Sequence, residues 1–285
     1  MNKIVLVTGT STGLGTAIAV QAARAGHTVI ATLRDPHKRA TLDQASAAAG
    51  VTLDVQALDV QDPATIQTTV AHIMATHGRI DTLINNAGAG FVRNIEQASD
   101  ADIQTIMDIN FMGVVRCTRA VLPHMRAARA GHVINISSVG GLVGQPFNEI
   151  YCGAKFAVEG FTESLATYVT PHFGVHFTAV EPGGIRSEFA NNVLRHLAAT
   201  GGMRNDDYLP VLQKYLGGSR SRQGGSGVYQ SAEEVAAVVM QCMAADPPPI
   251  RIRTSAWAES LTNLKTAPDP DGRLQQQRVI EWFLS

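Results

Sequence analysis

Tyr151 and Lys155 lie four positions apart in a run of helix-forming residues, so their side chains share one helix face. A phenol with a pKa of about 10 is a poor base at neutral pH. An ammonium about 5 Å away stabilises the phenolate by roughly 3 kcal/mol at an effective dielectric of about 20, or about two pKa units. Such a pair can give a proton to a carbonyl oxygen and take one back from an alcohol. Near the start of the chain, Gly9-Thr10-Ser11-Thr12-Gly13-Leu14-Gly15 separates an apolar run from an Ala-rich helical pattern. Glycines there let the backbone come close to a pyrophosphate. The first N–H groups of the following helix then face the anion with the positive end of the helix dipole.

The elements that must hold these residues alternate. Apolar, strand-like runs at Ile4–Thr8, Thr28–Leu33, Thr52–Leu58, Ile80–Ile84, His132–Ile136 and Val175–Val180 are separated by helical patterns at Thr16–Ala25, Arg39–Ala49, Ile66–Thr76, Asp100–Arg129 and Glu149–Val169. Gly26 and Gly50 each stop a helix ahead of a strand. This alternation predicts an α/β fold: a Rossmann-like, doubly wound parallel sheet with helices on both faces, in a single domain over residues 1–285. Residues 186–230 are polar, Gly-rich and irregular, with glycine clusters at 217–218 and 224–227, and are expected to form a substrate-binding lid. The lid is expected to be mobile without ligand and to bury Phe189, Leu194, Leu209 and Leu212 on closing. Ser231-Ala232-Glu233-Glu234 is a capping box opening a helix to about Met243. Ile250–Arg253 reads as a last strand. Residues 254–285 form a C-terminal extension with helix formers at Leu274–Phe283.

Composition excludes several partners. A net charge of −1 offers no basic surface for nucleic acid. No apolar run is long enough for a membrane span. With the strand-like Lys3–Thr8 so near the start, no signal peptide is expected. Cys117, Cys152 and Cys242 are far apart with no CxxC pair, as expected of reduced thiols in a cytoplasmic protein. The nine histidines show no HxH or HExxH spacing, and Pro171 and Gly174 keep His172 and His176 off one helix face, so no metal site is expected.

Further motifs follow the glycine turn in order: Asn85-Asn86-Ala87-Gly88 after the fourth strand, Ser138 after the fifth, Tyr151 and Lys155, and Pro182-Gly183 after the sixth. On these motifs the chain resembles the short-chain dehydrogenase/reductase family, strongly over residues 3–190 and weakly over 231–245. Among family subgroups it is most similar to the estradiol 17β-hydroxysteroid and retinol dehydrogenases, through Ala31–Asp35 and Ser138–Cys152. The resemblance implies a catalytic tetrad of Asn110, Ser138, Tyr151 and Lys155. Ser138, rather than the adjacent Ser137, binds the substrate oxygen, and Tyr151 is the general acid and base. Lys155 also holds the nicotinamide ribose, and Asn110 holds a water that extends the proton relay. The cofactor is expected against Gly9, Ser11, Thr12, Gly13, Leu14, Gly15, Asp59, Val60, Asn86, Ala87, Gly88, Tyr151, Lys155, Pro182, Gly183, Ile185 and Ser187. The helices at Asp100–Arg129 and Glu149–Val169 are expected to meet their copies in a homodimer or homotetramer.

Enzymes of this type that use NAD place an acid at the end of the second strand, to bind the ribose 2′-hydroxyl. Here Leu33 stands at that place and Arg34 follows. An apolar residue beside a guanidinium suits the 2′-phosphate of NADP(H). The alternative has Asp35 reading the ribose and NAD(H) as cofactor. The expected substrate is a small-molecule alcohol or carbonyl, bulky and apolar, steroid- or retinoid-like. The competing reading is a non-catalytic NADP-binding regulator or scaffold on the same fold.

Overall fold

Strand β1 (Ile4–Thr8) is buried along its whole length, and its alternating side chains serve two cores. Ile4 and Leu6 face one layer, Val5 and Val7 the other. The same division holds across a seven-stranded parallel sheet in the order β3-β2-β1-β4-β5-β6-β9. Its other strands are β2 (Thr28–Leu33), β3 (Asp54–Ala57), β4 (Thr82–Asn85), β5 (Gly131–Ile136), β6 (Val175–Glu181) and β9 (Arg251–Arg253). This computed structural model describes residues 2–223 and 228–284.

One face of the sheet carries α1 (Gly13–Arg24), α2 (Ala40–Ala49) and α9 (Ala232–Ala244). Leu14, Ile18, Leu42, Val235 and Val239 pack there on Val5, Val29 and Ile134. The other face carries α3 (Pro63–His77), α5 (Gly113–Ala128) and α6 (Glu149–Phe173), through Ile66, Val70, Val121, Leu165 and Val169. The expected capping box is present: Ser231 Oγ accepts from Glu234 N, and the Glu234 carboxylate accepts from Ser231 N. Gly50 ends α2 at φ +64°, in the left-handed region that favours glycine. The order 3-2-1-4-5-6 reverses direction between β1 and β4. Ligands of such sheets bind at the carboxyl ends of the strands around that switch point.

Two sequence expectations need correction. The stretch Asp100–Arg129 is not one regular helix. It comprises α4 (Asp100–Met107), a π-helical turn at Asp108–Met112, and α5. The segment 186–230 is not irregular either. After the short β7 (Gly184–Arg186) come α7 (Glu188–Ala199) and α8 (Leu209–Gln223), and β8 (Tyr229–Ser231) pairs with β7 in a two-stranded sheet. Ser187 Oγ caps α7 by accepting from Phe189 N, and Phe189, Val193 and Leu197 repeat every four residues. The glycines at 217–218 lie inside α8, and the run 224–227 lies outside the described residues. Of the four apolar lid residues, Leu212 is buried, whereas Phe189 and Leu194 stay about 40% exposed. The C-terminal extension folds as α10 (Ala256–Thr266) and α11 (Arg273–Phe283), the latter fastened to α6 by Gln276 Nε2 donating to Ala166 O.

Candidate active site

The glycine turn closes on itself between β1 and α1. Gly9 has φ +72°, and a Cβ there would come within 2.8 Å of Ala87 Cα. A Cβ on Gly15 would lie 2.1 Å from Gly9 O and 2.5 Å from Asn86 Nδ2, so only glycine lets α1 start so close to the turn. Asn86 ties the two loops together: its Nδ2 donates to Thr8 O and Gly9 O at 2.9 Å. Thr8 Oγ1 accepts from Asn86 N and Ala87 N at 3.0 Å. Thr12 precedes α1 without a side-chain cap, and the first turn of α1 contains no acid. The leading N–H groups are therefore available to an anion. Across the cleft, a Cβ on Gly13 would stand 3.2 Å from Ser187 Cβ. The loop after Pro182 thus faces the glycine turn, and behind it a Cβ on Gly183 would come within 2.9 Å of the Trp257 ring. These close backbone approaches and uncapped donors fit a pyrophosphate.

At the far end of β2, Leu33 is buried and Arg34 is exposed. Asp35 is occupied locally. Its Oδ1 accepts from His37 N at 3.0 Å and caps the turn Pro36–Lys38. At the end of β3, Asp59 Oδ1 accepts from Gln61 N at 3.0 Å. Val60 packs on Gly113 of α5, where a Cβ would meet its Cγ2 at 2.8 Å.

The four tetrad residues come together although they derive from the π-helical turn, the loop after β5 and α6. Ser138 follows β5, and Tyr151 and Lys155 lie on α6. Ser138 and Tyr151 meet over Gly140, where a Cβ would stand 3.3 Å from Ser138 Oγ and 3.4 Å from Tyr151 Cε1, and Ser138 Oγ accepts from Gly140 N at 3.0 Å. Ser137 points elsewhere, toward Glu159. Lys155 is buried, donates from Nζ to Ile136 O at 2.9 Å, and lies 5.7 Å from the centre of the Tyr151 ring. Asn110 is fully buried in the π-helical turn. Its Nδ2 donates to Ala89 O and Ile106 O, and its Oδ1 accepts from Ala89 N. Gly88 keeps the space between them small: a Cβ there would be 3.0 Å from Asn110 Oδ1 and 3.9 Å from Lys155 Nζ.

Electrostatics correct one expectation. Burial pushes the Tyr151 phenol up to about 12, with the Ser138 hydrogen bond opposing. Burial pulls Lys155 down to about 8. In the protein alone desolvation outweighs the pairing that spacing suggested, because both charged forms have lost water. The Cys152 thiol, next to Tyr151 in sequence, is buried and raised by that burial, as suits a packing residue.

The family model for short chain dehydrogenases matches residues 3–198. The chain belongs to the short-chain dehydrogenase family. Retinol dehydrogenase 8 of Bos taurus is 39% identical over 278 residues, spanning 95% of this chain and 87% of the relative. The 17-beta-hydroxysteroid dehydrogenase type 1 of Homo sapiens is 34% identical over 94% of this chain and 82% of its own. A solved short-chain dehydrogenase from Streptomyces avermitilis superposes with a TM-score of 0.76 at 30% identity, covering 99% of this chain and 98% of that one. Solved neighbours of the same fold hold NAD or NADPH. This short-chain dehydrogenase is therefore an oxidoreductase acting on CH–OH groups. No helix among the described residues is long and apolar enough to cross a membrane.

Sequence reasoning overlooked the residues that seat α7. Arg93 is buried and donates to Thr200 O and Thr200 Oγ1 at 2.7 Å and to Gly202 O at 3.2 Å, satisfying carbonyls at the end of α7. A Cβ on Gly90 would meet Val193 Cγ2 at 2.4 Å and the Phe189 ring at 2.7 Å. Phe189 in turn stands edge-on to Tyr151, with ring centroids 6.0 Å apart. The Ser187 cap with Phe189, Val193 and Leu197 was the available signal for α7.

Proposed function

We propose that this short-chain dehydrogenase interconverts a bulky, apolar secondary alcohol, or a primary alcohol, and its carbonyl, using NADP(H), with Tyr151 as the acid and base. The observation that carries this reading is the Tyr151 ring beside the Ser138 hydroxyl at Gly140, with the buried Lys155 Nζ 5.7 Å from the ring centre. In reduction Tyr151 gives its proton to the carbonyl oxygen, while the Ser138 hydroxyl donates to the same oxygen and fixes its place. In oxidation the phenolate takes the proton back. The Lys155 charge lowers the cost of that phenolate, and Asn110, beside Gly88, supports the route by which the proton is replaced. When bound, the nicotinamide supplies the hydride for reduction and accepts it in oxidation. Gly9, Ser11, Thr12, Gly13, Leu14 and Gly15 would hold the pyrophosphate. Asp59 and Val60 would flank the adenine, and Asn86, Ala87, Gly88, Pro182, Gly183, Ile185 and Ser187 would line the nicotinamide half.

NADP(H) is favoured over NAD(H) because Arg34 is exposed at the end of β2 while Asp35 is spent on its own turn. An apolar substrate is favoured by the Phe189 and Val193 side of α7 over Tyr151, and by the two relatives named for retinol and a hydroxysteroid. The exposed Phe156 and Tyr168 on α6 suit a homo-oligomer contact. A pure regulator would have no use for an intact proton-transfer set. The test is NADPH oxidation with a panel of steroid ketones, retinal and small aldehydes, followed by NADPH absorbance. Turnover of the large apolar members is expected. NADPH binding without turnover of any carbonyl would favour the regulator.

A further inference from the structure

Beneath the tetrad lies a row of buried ionisable groups that the reaction, as described, does not use. Glu159 sits one turn after Lys155 on the same face of α6, and both are buried. Gly141 makes room for it: a Cβ there would stand 3.0 Å from Glu159 Oε1 and 2.8 Å from Ser137 Oγ. Glu181 ends β6, immediately before Pro182, and is fully buried; Ser137, whose Oγ shares the space at Gly141 with Glu159, donates from its N to Val180 O at 2.8 Å and so brings Glu181 up to Glu159. Arg253 of β9 follows, with Nη1 3.3 Å from Glu181 Oε2, and its Nε and Nη2 reach the two carboxylate oxygens of Glu259 on α10 at 2.8 Å. One oxygen of Glu159 and one of Glu181 are buried without a hydrogen-bond partner.

We propose, on the reading of Lys155 given above, that Glu159 and Glu181 form a carboxyl pair holding one proton and one negative charge, and that this pair is a positioning element that keeps Lys155 an ammonium. Two adjacent carboxylates in a buried site repel each other, and a single proton turns that contact into a donor–acceptor bond. Charge balance selects the same state. Lys155 and Arg253 are two buried cations, Glu259 supplies one negative charge, and the pair must supply the other. The charged groups facing the pair are Lys155 and Glu163 from α6 and Arg251 and Arg253 from β9, with Arg253 held in turn by Glu259 of α10. Glu163 is itself matched by Arg251 at 3.2 Å. Burial first, and then the charge of Glu181, hold Glu159 well above the usual carboxylate range. Burial raises Glu181 too, but Arg253 draws it back, so the proton resides on Glu159 and the charge beside Arg253. The negative charge of the pair opposes the burial that lowers Lys155.

The experiment is the pH profile of kcat for reduction of a ketone that the wild type turns over with NADPH. It is run on the wild type, Glu159→Gln, Glu181→Gln, the double variant and Lys155→Ala, with Tm and NADPH affinity measured alongside. Each single glutamine leaves one carboxylate next to an amide donor, so the alkaline limb is expected to stay in place. The double variant loses the charge, and its limb is expected to move down by about one to two pH units, the size of one charge interaction over about 6–9 Å at an effective dielectric of about 20. A double variant that folds, binds NADPH and keeps the wild-type limb overturns the proposal, as does a limb that each single variant shifts by half the double's shift. Should the double variant not fold, infrared difference spectra of wild type minus Glu159→Gln at neutral pH decide. A carboxylic-acid carbonyl band is expected, and its absence overturns the one-proton pair. A Lys155→Ala enzyme with wild-type kcat would instead undo the role of Lys155 itself, which separates the two failures.

Discussion

Replacing Lys155 by methionine should make the protein more stable at neutral pH while destroying its use as an enzyme. The folded-state pKa of about 8, against 10.5 for a free lysine, means that burial penalises the ammonium by roughly 3 kcal/mol at pH 7. Methionine keeps the stem and removes the charge. It also leaves Ile136 O without its 2.9 Å donor, a loss of about 1–2 kcal/mol. The balance is a gain of about 1–2 kcal/mol, or about 2–6 °C in Tm for a chain of this size. The sign with pH is fixed. Between about 8 and 10.5 the unfolded lysine binds more protons than the folded one, so wild-type stability rises with pH across that window and the advantage of methionine fades. The assay is thermal unfolding of cofactor-free wild type and variant from pH 7 to pH 10. A variant less stable than wild type at pH 7, or a gap constant with pH, would refute the assigned burial of charge.

Other perturbations address the cofactor and the lid. Arg34→Ala should cost NADPH use about tenfold in kcat/KM, since an exposed charged hydrogen bond sits at the lower end of about 1.5–3 kcal/mol, and should leave NADH use nearly unchanged. Leu33→Asp should reverse the preference, and because Leu33 is buried it should also lower Tm in the absence of cofactor. Amides of α7 are expected to exchange faster than those of the sheet in the free enzyme and to be protected by NADPH with substrate. Arg93→Met should raise α7 exchange further without changing NADPH affinity, because Arg93 touches the end of the lid helix and not the glycine turn.

The order of strands and helices was legible because each central strand is buried on both faces and is written as a short aliphatic run between turn signals. Gly9, Gly13 and Gly15, with Tyr151 and Lys155, were legible because close backbone approach and one-turn spacing leave local marks. The lid was not. Glycine at 217 and 218 argued for loop yet both lie inside α8, and the contacts of Arg93 and Gly90 that seat α7 come from far away in sequence. The π-helical turn that buries Asn110 left no periodic trace in a stretch that otherwise repeats as helix. The high pKa of Tyr151 was missed because spacing reveals a partner's charge but not the loss of water. Glu181 and Arg253 lie 22 and 94 residues after Glu159 in sequence, and only the adjacency of β6 and β9 brings them together.

The claim on which the rest depends is that Tyr151 moves the proton, and Tyr151→Phe tests it with the ring retained and only the hydroxyl removed. Single-turnover reduction of a ketone should be slowed by a factor of about 10²–10⁴ in the variant, while NADPH binds with nearly unchanged affinity. A Tyr151→Phe enzyme that binds NADPH and retains more than a few per cent of the wild-type rate would contradict it.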